Sequence, residues 1–159
     1  MTSAPPITGV SEIVLSVADL PVMREYYTQI LGFEFHSELS MEQAEPDPQG
    51  EPTITFLKIS DVDTPLGNGG HPQMLVLIDY RRHVHAKNRL TGHDVQRSTL
   101  NHLAFEISPD SFSGFENHLH ANGIELAHAS FPALNARAMF FVDPEGNRLE
   151  LISHFVESV

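Results

Sequence analysis

Glu12, His102 and Glu150 are the residues whose types and spacing point most directly to chemistry. Each lies in a short stretch where apolar and other residues alternate with period two, the pattern of a strand. In SEIVLSV (11–17), Ile13, Leu15 and Val17 share one face, with Glu12, Val14 and Ser16 on the other. In TLNHLAFEI (99–107), Leu103, Phe105 and Ile107 oppose His102, Ala104 and Glu106. In RLELISHF (148–155), Leu149 and Leu151 oppose Arg148, Glu150 and Ile152. The wholly apolar faces suit a covered core, so Glu12, His102 and Glu150 all point away from it. One imidazole and two carboxylates from three strands make a nitrogen and oxygen donor set. It suits a divalent ion such as Fe(II), Mn(II), Ni(II), Co(II) or Zn(II). Three ligands leave coordination positions for water or a substrate.

Simpler assignments stand beside this one. Glu12 also fits a solvated residue at a strand start, and His102 a ring hydrogen-bonded to backbone. Carboxylates are rarely buried unpaired, so Glu150 also fits an ion pair with Arg137 or Arg148. His71, His83, His85 and His93 are candidate proton donors by their place in loops, or solvated loop residues. Met74, Met139 and Phe141 either line a cleft that stacks a planar ligand or belong to the core.

The elements that position these residues occur twice. After residues 11–17, Met23, Tyr26, Tyr27, Ile30 and Leu31 form a helical stripe. Asp19 and Pro21 suit its start and Gly32 its end. Strands are predicted at 33–40, 53–60 and 73–80, with polar loops between. The order restarts at 99–107. Phe112, Phe115 and Leu119 mark a second helix, ended by Gly123, and strands follow at 124–128, 135–142 and 148–155. The fold class is α+β: two βαβββ half-domains whose curved mixed sheets surround a shared pocket. One domain is expected over 10–159, with half-domains 10–80 and 99–156 and a connector at 81–98. The repeat leaves open whether one chain or two complete the pocket.

Composition removes several function classes. The absence of cysteine excludes disulfide scaffolds, thiolate metal sites and cysteine nucleophiles. A reducing cytoplasm is the simpler compartment. A formal charge of -12 repels phosphate backbones and anionic membranes, so no nucleic acid or membrane partner is expected. No apolar run is long enough to span a bilayer, and no basic, then apolar leader is present.

The chain resembles the vicinal oxygen chelate superfamily, the glyoxalase, bleomycin-resistance and dioxygenase group. EIVLSVADLPVMREYYTQILGF (12–33), LNHLAFEI (100–107) and AMFFVDPEGNRLELI (138–152) carry the resemblance. It implies a metal-binding His where this chain has Glu12, a second ligand at His102 and a third at Glu150. Val76 holds the place where glyoxalase I adds a further Glu, so the four-ligand pattern is absent. The resemblance implies a homodimer and a metal-dependent enzyme of dioxygenase, isomerase or lyase type acting on a small molecule through its oxygens. It also implies an alternative, a metal-free binding protein like the antibiotic-sequestering members.

Overall fold

The computed structural model describes residues 10–63, 72–87 and 100–155. The chain divides into two compact units, residues 1–92 and 93–159. Each contains the expected βαβββ order and one four-stranded mixed sheet.

In the first unit, β1 (Glu12–Val17) leads into α1 (Leu20–Glu25). The Asp19 carboxylate accepts the Val22 N–H at 3.1 Å, closing one open donor of the first turn. The expected α-helix does not run to Leu31, because Tyr26–Ile30 form a π-helical turn. Leu31 N–H reaches back five residues to the Tyr26 carbonyl. The Thr28 hydroxyl has already bonded to the Arg24 carbonyl at 2.8 Å, a back-bond that competes with the regular ladder. Gly32, at φ 73, then releases the chain into β2 (Glu34–Leu39). β3 (Ile54–Asp63) and β4 (Pro72–Asp79) complete the sheet in the order β1-β4-β3-β2. β1 and β4 are parallel and the remaining pairs antiparallel.

Register and burial decide the faces of this sheet. Leu15 pairs with Leu77, and Thr55 lies between Leu77 and Glu38. Arg24 of α1 reaches Glu38 at 2.7 Å, so α1 covers the face carrying Leu15, Val17, Leu57, Leu75 and Leu77. Met23, Tyr27 and Leu31 pack there. Glu12, Val14 and Ser16 lie on the opposite face, as the alternation predicts.

The second unit repeats the plan as β5 (Leu103–Glu106), α2 (Phe112–Ala121), β6 (Ala127–Phe131), β7 (Ala136–Val142) and β8 (Arg148–His154). The sheet order is β5-β8-β7-β6, with β5 and β8 parallel. The largest differences from expectation lie in two strands. β5 begins at Leu103 rather than at residue 99. β6 begins three residues later than predicted, because the N–H groups of Asn122, Gly123 and Ile124 still cap α2 carbonyls. Gly123 reverses the chain at φ 74 only after that. Glu116 of α2 meets His128 of β6 at 2.7 Å, and Arg137 of β7 lies 4.0 Å over the Phe112 ring. These contacts put α2 on the face carrying Met139, Leu149 and Leu151. Among the described residues, no helix is long and apolar enough to cross a membrane.

Candidate metal centre

The turn between β7 and β8 sets where Glu150 falls. Asp143 is buried, and its carboxylate accepts Glu145 N–H at 3.0 Å, Asn147 N–H at 2.8 Å and the Asn147 amide at 2.7 Å. Gly146, at φ 86, gives the positive dihedral that the turn requires. Replacing Asp143 with Ala is expected to cost about 2–4 kcal/mol, since three donors lose a charged acceptor. Asp143→Asn keeps one acceptor oxygen and should lose less. Urea unfolding of both variants checks the ranking.

This turn fixes the β7–β8 register, which pairs Glu150 with Phe140 on one side and Ala104 on the other. Glu150 is buried although it lies on the face away from α2. Its ion-pair partner is His102, the residue just before β5, with Nε2 to Oε2 at 3.0 Å. Neither arginine considered from sequence takes that role. Arg137 stacks on Phe112 and Arg148 lies 4.5 Å over Phe140. The His102 ring also meets the Phe140 ring edge-to-face at 5.6 Å.

The second ring nitrogen of His102 is occupied as well. Nδ1 and the Asn101 side-chain amide lie at hydrogen-bond distance, 2.6 Å, with the direction set by the ring tautomer. In the tautomer protonated at Nδ1, a neutral ring presents a lone pair at Nε2 to the Glu150 carboxylate. Two acceptors 3.0 Å apart repel unless positive charge lies against both. In that tautomer a divalent cation would supply the charge, whereas the other tautomer places an Nε2–H against the carboxylate. The 3.0 Å separation is that of an ordinary N–H···O hydrogen bond, and in the Nδ1-protonated tautomer the same two atoms form an adjacent nitrogen and oxygen donor pair. Asn101 supplies the orienting hydrogen bond that metal-binding histidines commonly make. His102 and Glu150 therefore fit a hard or borderline divalent ion as two adjacent ligands.

Glu12 belongs to the first unit and is exposed at the start of β1, where it pairs in register with Met74. Val76 is buried beside Val14 and Phe56, and as an aliphatic residue it offers no ligand. Among the described residues, no group of three or more His, Asp or Glu side chains is gathered as an ion site. Met139 and Phe141 do not line a cleft. Their register partners are Leu151 and Leu149, and all four are core. Phe140, one residue out of phase, faces His102 instead. Sequence reasoning passed over Asn101 and Phe140. Only the tertiary register brings Phe140 to the ring, whereas Asn101 was adjacent to His102 from the start.

Of the loop histidines, His71 and His93 lie outside the described residues. His83 is buried in the turn after β4. Its Nδ1 accepts the His85 N–H at 3.1 Å, and its Nε2 is buried without a hydrogen-bond partner. Burial, followed by the nearby His85, lowers its pKa below the ordinary histidine value, against the pull of Asp79. The unfolded chain thus binds this proton more readily than the native one. Stability from His83 is complete above the unfolded value of about 6.5 and is lost as pH falls through the lower native value. Thermal unfolding is expected to show lower stability at pH 5 than at pH 7.5. His83→Asn keeps an acceptor for His85 but cannot take up a proton there, so it should shrink that difference. An unchanged difference would sink the assignment.

A cleft of about 370 Å³ opens elsewhere, in the first unit, lined by Leu20, Pro21, Arg24, Glu38, Asp79 and Arg82. Its arginines are already bound to carboxylates, Arg24 to Glu38 at 2.7 Å and Arg82 to Glu42 at 2.6 Å.

Comparison with known families decides the lineage. A family model described as the Glyoxalase/Bleomycin resistance protein/Dioxygenase superfamily matches residues 9–151. The chain belongs to this superfamily. A search of curated proteins found no match. Solved structures of the glyoxalase/bleomycin resistance/dioxygenase fold are similar over nearly the whole chain. A glyoxalase/dioxygenase from Nostoc punctiforme is 23% identical, covering 98% of this chain and 99% of that one, with a TM-score of 0.63. A lactoylglutathione lyase from Agrobacterium tumefaciens is 19% identical, with coverage of 94% and 96% and a TM-score of 0.60. A variant of the fosfomycin resistance protein FosX from Listeria monocytogenes, complexed with Mn(II) and 1S,2S-dihydroxypropylphosphonic acid, is 19% identical. Coverage is 96% of each chain and the TM-score is 0.64. At these identities the likeness establishes the fold of this superfamily member and leaves its activity to the site.

Proposed function

We propose that this superfamily member is a divalent-metal-dependent enzyme acting on a small molecule held through its oxygen atoms. The observation that carries the reading is the 3.0 Å approach of His102 Nε2 to Glu150 Oε2 while Asn101 occupies Nδ1. Glu12 is the proposed third ligand. A structure of FosX complexed with Mn(II) supports the choice of a hard divalent ion. Bound there, such an ion supplies Lewis acidity to substrate oxygens, which dioxygenase, isomerase and lyase reactions of this type all require.

The chain's own residues prepare that chemistry. Asn101 hydrogen-bonds His102 Nδ1 and orients the ring. Glu150 is anchored deep in β8, where the Asp143 turn leaves it little freedom. Phe140 packs against the imidazole and shields one side of the pair from water. Low local polarity there strengthens the hold of carboxylate on cation.

The test is reconstitution of the metal-free protein with Fe(II), Mn(II), Ni(II), Co(II) and Zn(II) separately, followed by metal analysis. One ion per chain is expected from at least one of them, weakened in Glu12→Ala. Failure to retain any of the five removes the reading. A homodimer belongs to the same proposal, and a monomeric mass in solution would remove that part alone. The metal-free binding alternative loses two of its proposed lining residues, since Met139 and Phe141 are core.

A further inference from the structure

Arg148 stands apart from the basic residues of the first unit. There Arg24 pairs with Glu38, Lys58 with Glu34, Arg81 with Asp79, and Arg82 with Glu42 and Glu51. Arg148 makes no ion pair among the described residues, in a chain of formal charge -12. Its natural partner would be Glu150, two residues along the same strand face, but Glu150 is taken by His102. The guanidinium instead lies 4.5 Å over the Phe140 ring, whose other contact is the His102 ring at 5.6 Å. Phe140 thus holds both groups. The cation–π contact restrains the guanidinium. Residues two apart on a strand are separated by about 6.7 Å. The backbones of Arg148 and Glu150 are therefore one small-molecule length apart.

We infer that Arg148 is a specificity-determining residue, and that the substrate carries an acidic group in addition to the oxygens that meet the metal. The inference rests on the metal reading of His102 and Glu150. A distal carboxylate or phosphonate would receive the guanidinium fork, which has no competing acid to release among the described residues. A neutral substrate of the same size would leave that cation unsatisfied. The shared chemistry is an oxyanion, and carboxylate and phosphonate probes separate the two forms.

The experiment uses full-length protein loaded with Mn(II) and isothermal titration. Malate and lactate share a 2-hydroxycarboxylate head and differ in the distal carboxylate of malate. A third probe replaces that distal carboxylate with a phosphonate. Malate, the phosphonate or both are expected to bind about tenfold or more tighter than lactate, the size of one charge-assisted contact. Arg148→Ala should erase the preference while leaving lactate affinity and Mn(II) content unchanged. Arg148→Glu should reverse it, and Arg148→Lys should keep part of it. Mn(II) uptake with equal binding of all three probes, or a preference that survives Arg148→Ala, overturns the Arg148 assignment alone. Absence of Mn(II) uptake by the parent protein overturns the metal reading together with it.

Discussion

Glu150→Gln lowers Mn(II) affinity by about 100-fold or more while changing folding stability by only about 1 kcal/mol: this is the expected result if Glu150 is a ligand. Loss of a residue that merely orients a ligand already costs about 10–100-fold in metal affinity, and Glu150 would contact the ion directly. Glutamine keeps the volume and a carbonyl oxygen but removes the negative charge that offsets the cation. Stability changes little because the glutamine amide both donates and accepts, and so can hydrogen-bond His102 Nε2 in either tautomer. His102 itself is about one-third exposed, so water can reach it when the carboxylate is gone. The alternative, a pair joined by a proton alone, predicts something else. Mn(II) retention would then be nil in both proteins, and Glu150→Gln would alter only stability. Calorimetric Mn(II) titration with urea unfolding of the same samples separates the two. Equal Mn(II) retention by both proteins would remove Glu150 from the ligand set.

Tyr27→Ala is expected to cost about 3–5 kcal/mol, the range for deleting a buried aromatic side chain. Tyr27 is wholly buried under α1. Its ring meets Tyr26 at 5.6 Å edge-to-face and Phe33 at 5.7 Å. Removing it leaves a cavity that the π-helical turn cannot close without losing its own hydrogen bonds. For a domain whose whole stability is about 5–15 kcal/mol, that is a large fraction. Val14→Ala offers the contrast. Val14 lies on the opposite side of β1 and is 48% exposed, so the change should be within about 0.5 kcal/mol. Denaturant unfolding monitored by circular dichroism gives both values. Similar losses for the two variants would mean that the faces of β1 are assigned wrongly.

Much of this molecule was legible in the order of its residues. Alternation at Ile13, Leu15 and Val17, and again at Leu103, Phe105 and Ile107, is a local property of a strand with one covered face. Period two therefore marked β1 and β5, and the helical stripes marked α1 and α2. The doubling of the pattern yielded the βαβββ repeat and the side on which Glu12, His102 and Glu150 lie. Where the reading of elements failed, a local competitor was responsible. The Thr28 hydroxyl disturbed the end of the first helix, and the capping of α2 by residues 122–124 delayed β6.

Partner choice was not legible, because it depends on register between strands far apart in sequence. From sequence, Arg137 and Arg148 were the simpler partners for Glu150, set beside a shared ion site with His102. Pairing of β8 with β5 and β7 sets Glu150 between Ala104 and Phe140, while Arg137 lies on the α2 side of the sheet. A shift of one residue would have exchanged the faces. The sequence by itself determined which faces of the strands are apolar and covered, and so the side on which Glu12 and Glu150 lie. Only the tertiary structure decided that His102, oriented by Asn101, faces Glu150 at 3.0 Å, because that contact joins two chain segments through a sheet register that no local pattern encodes.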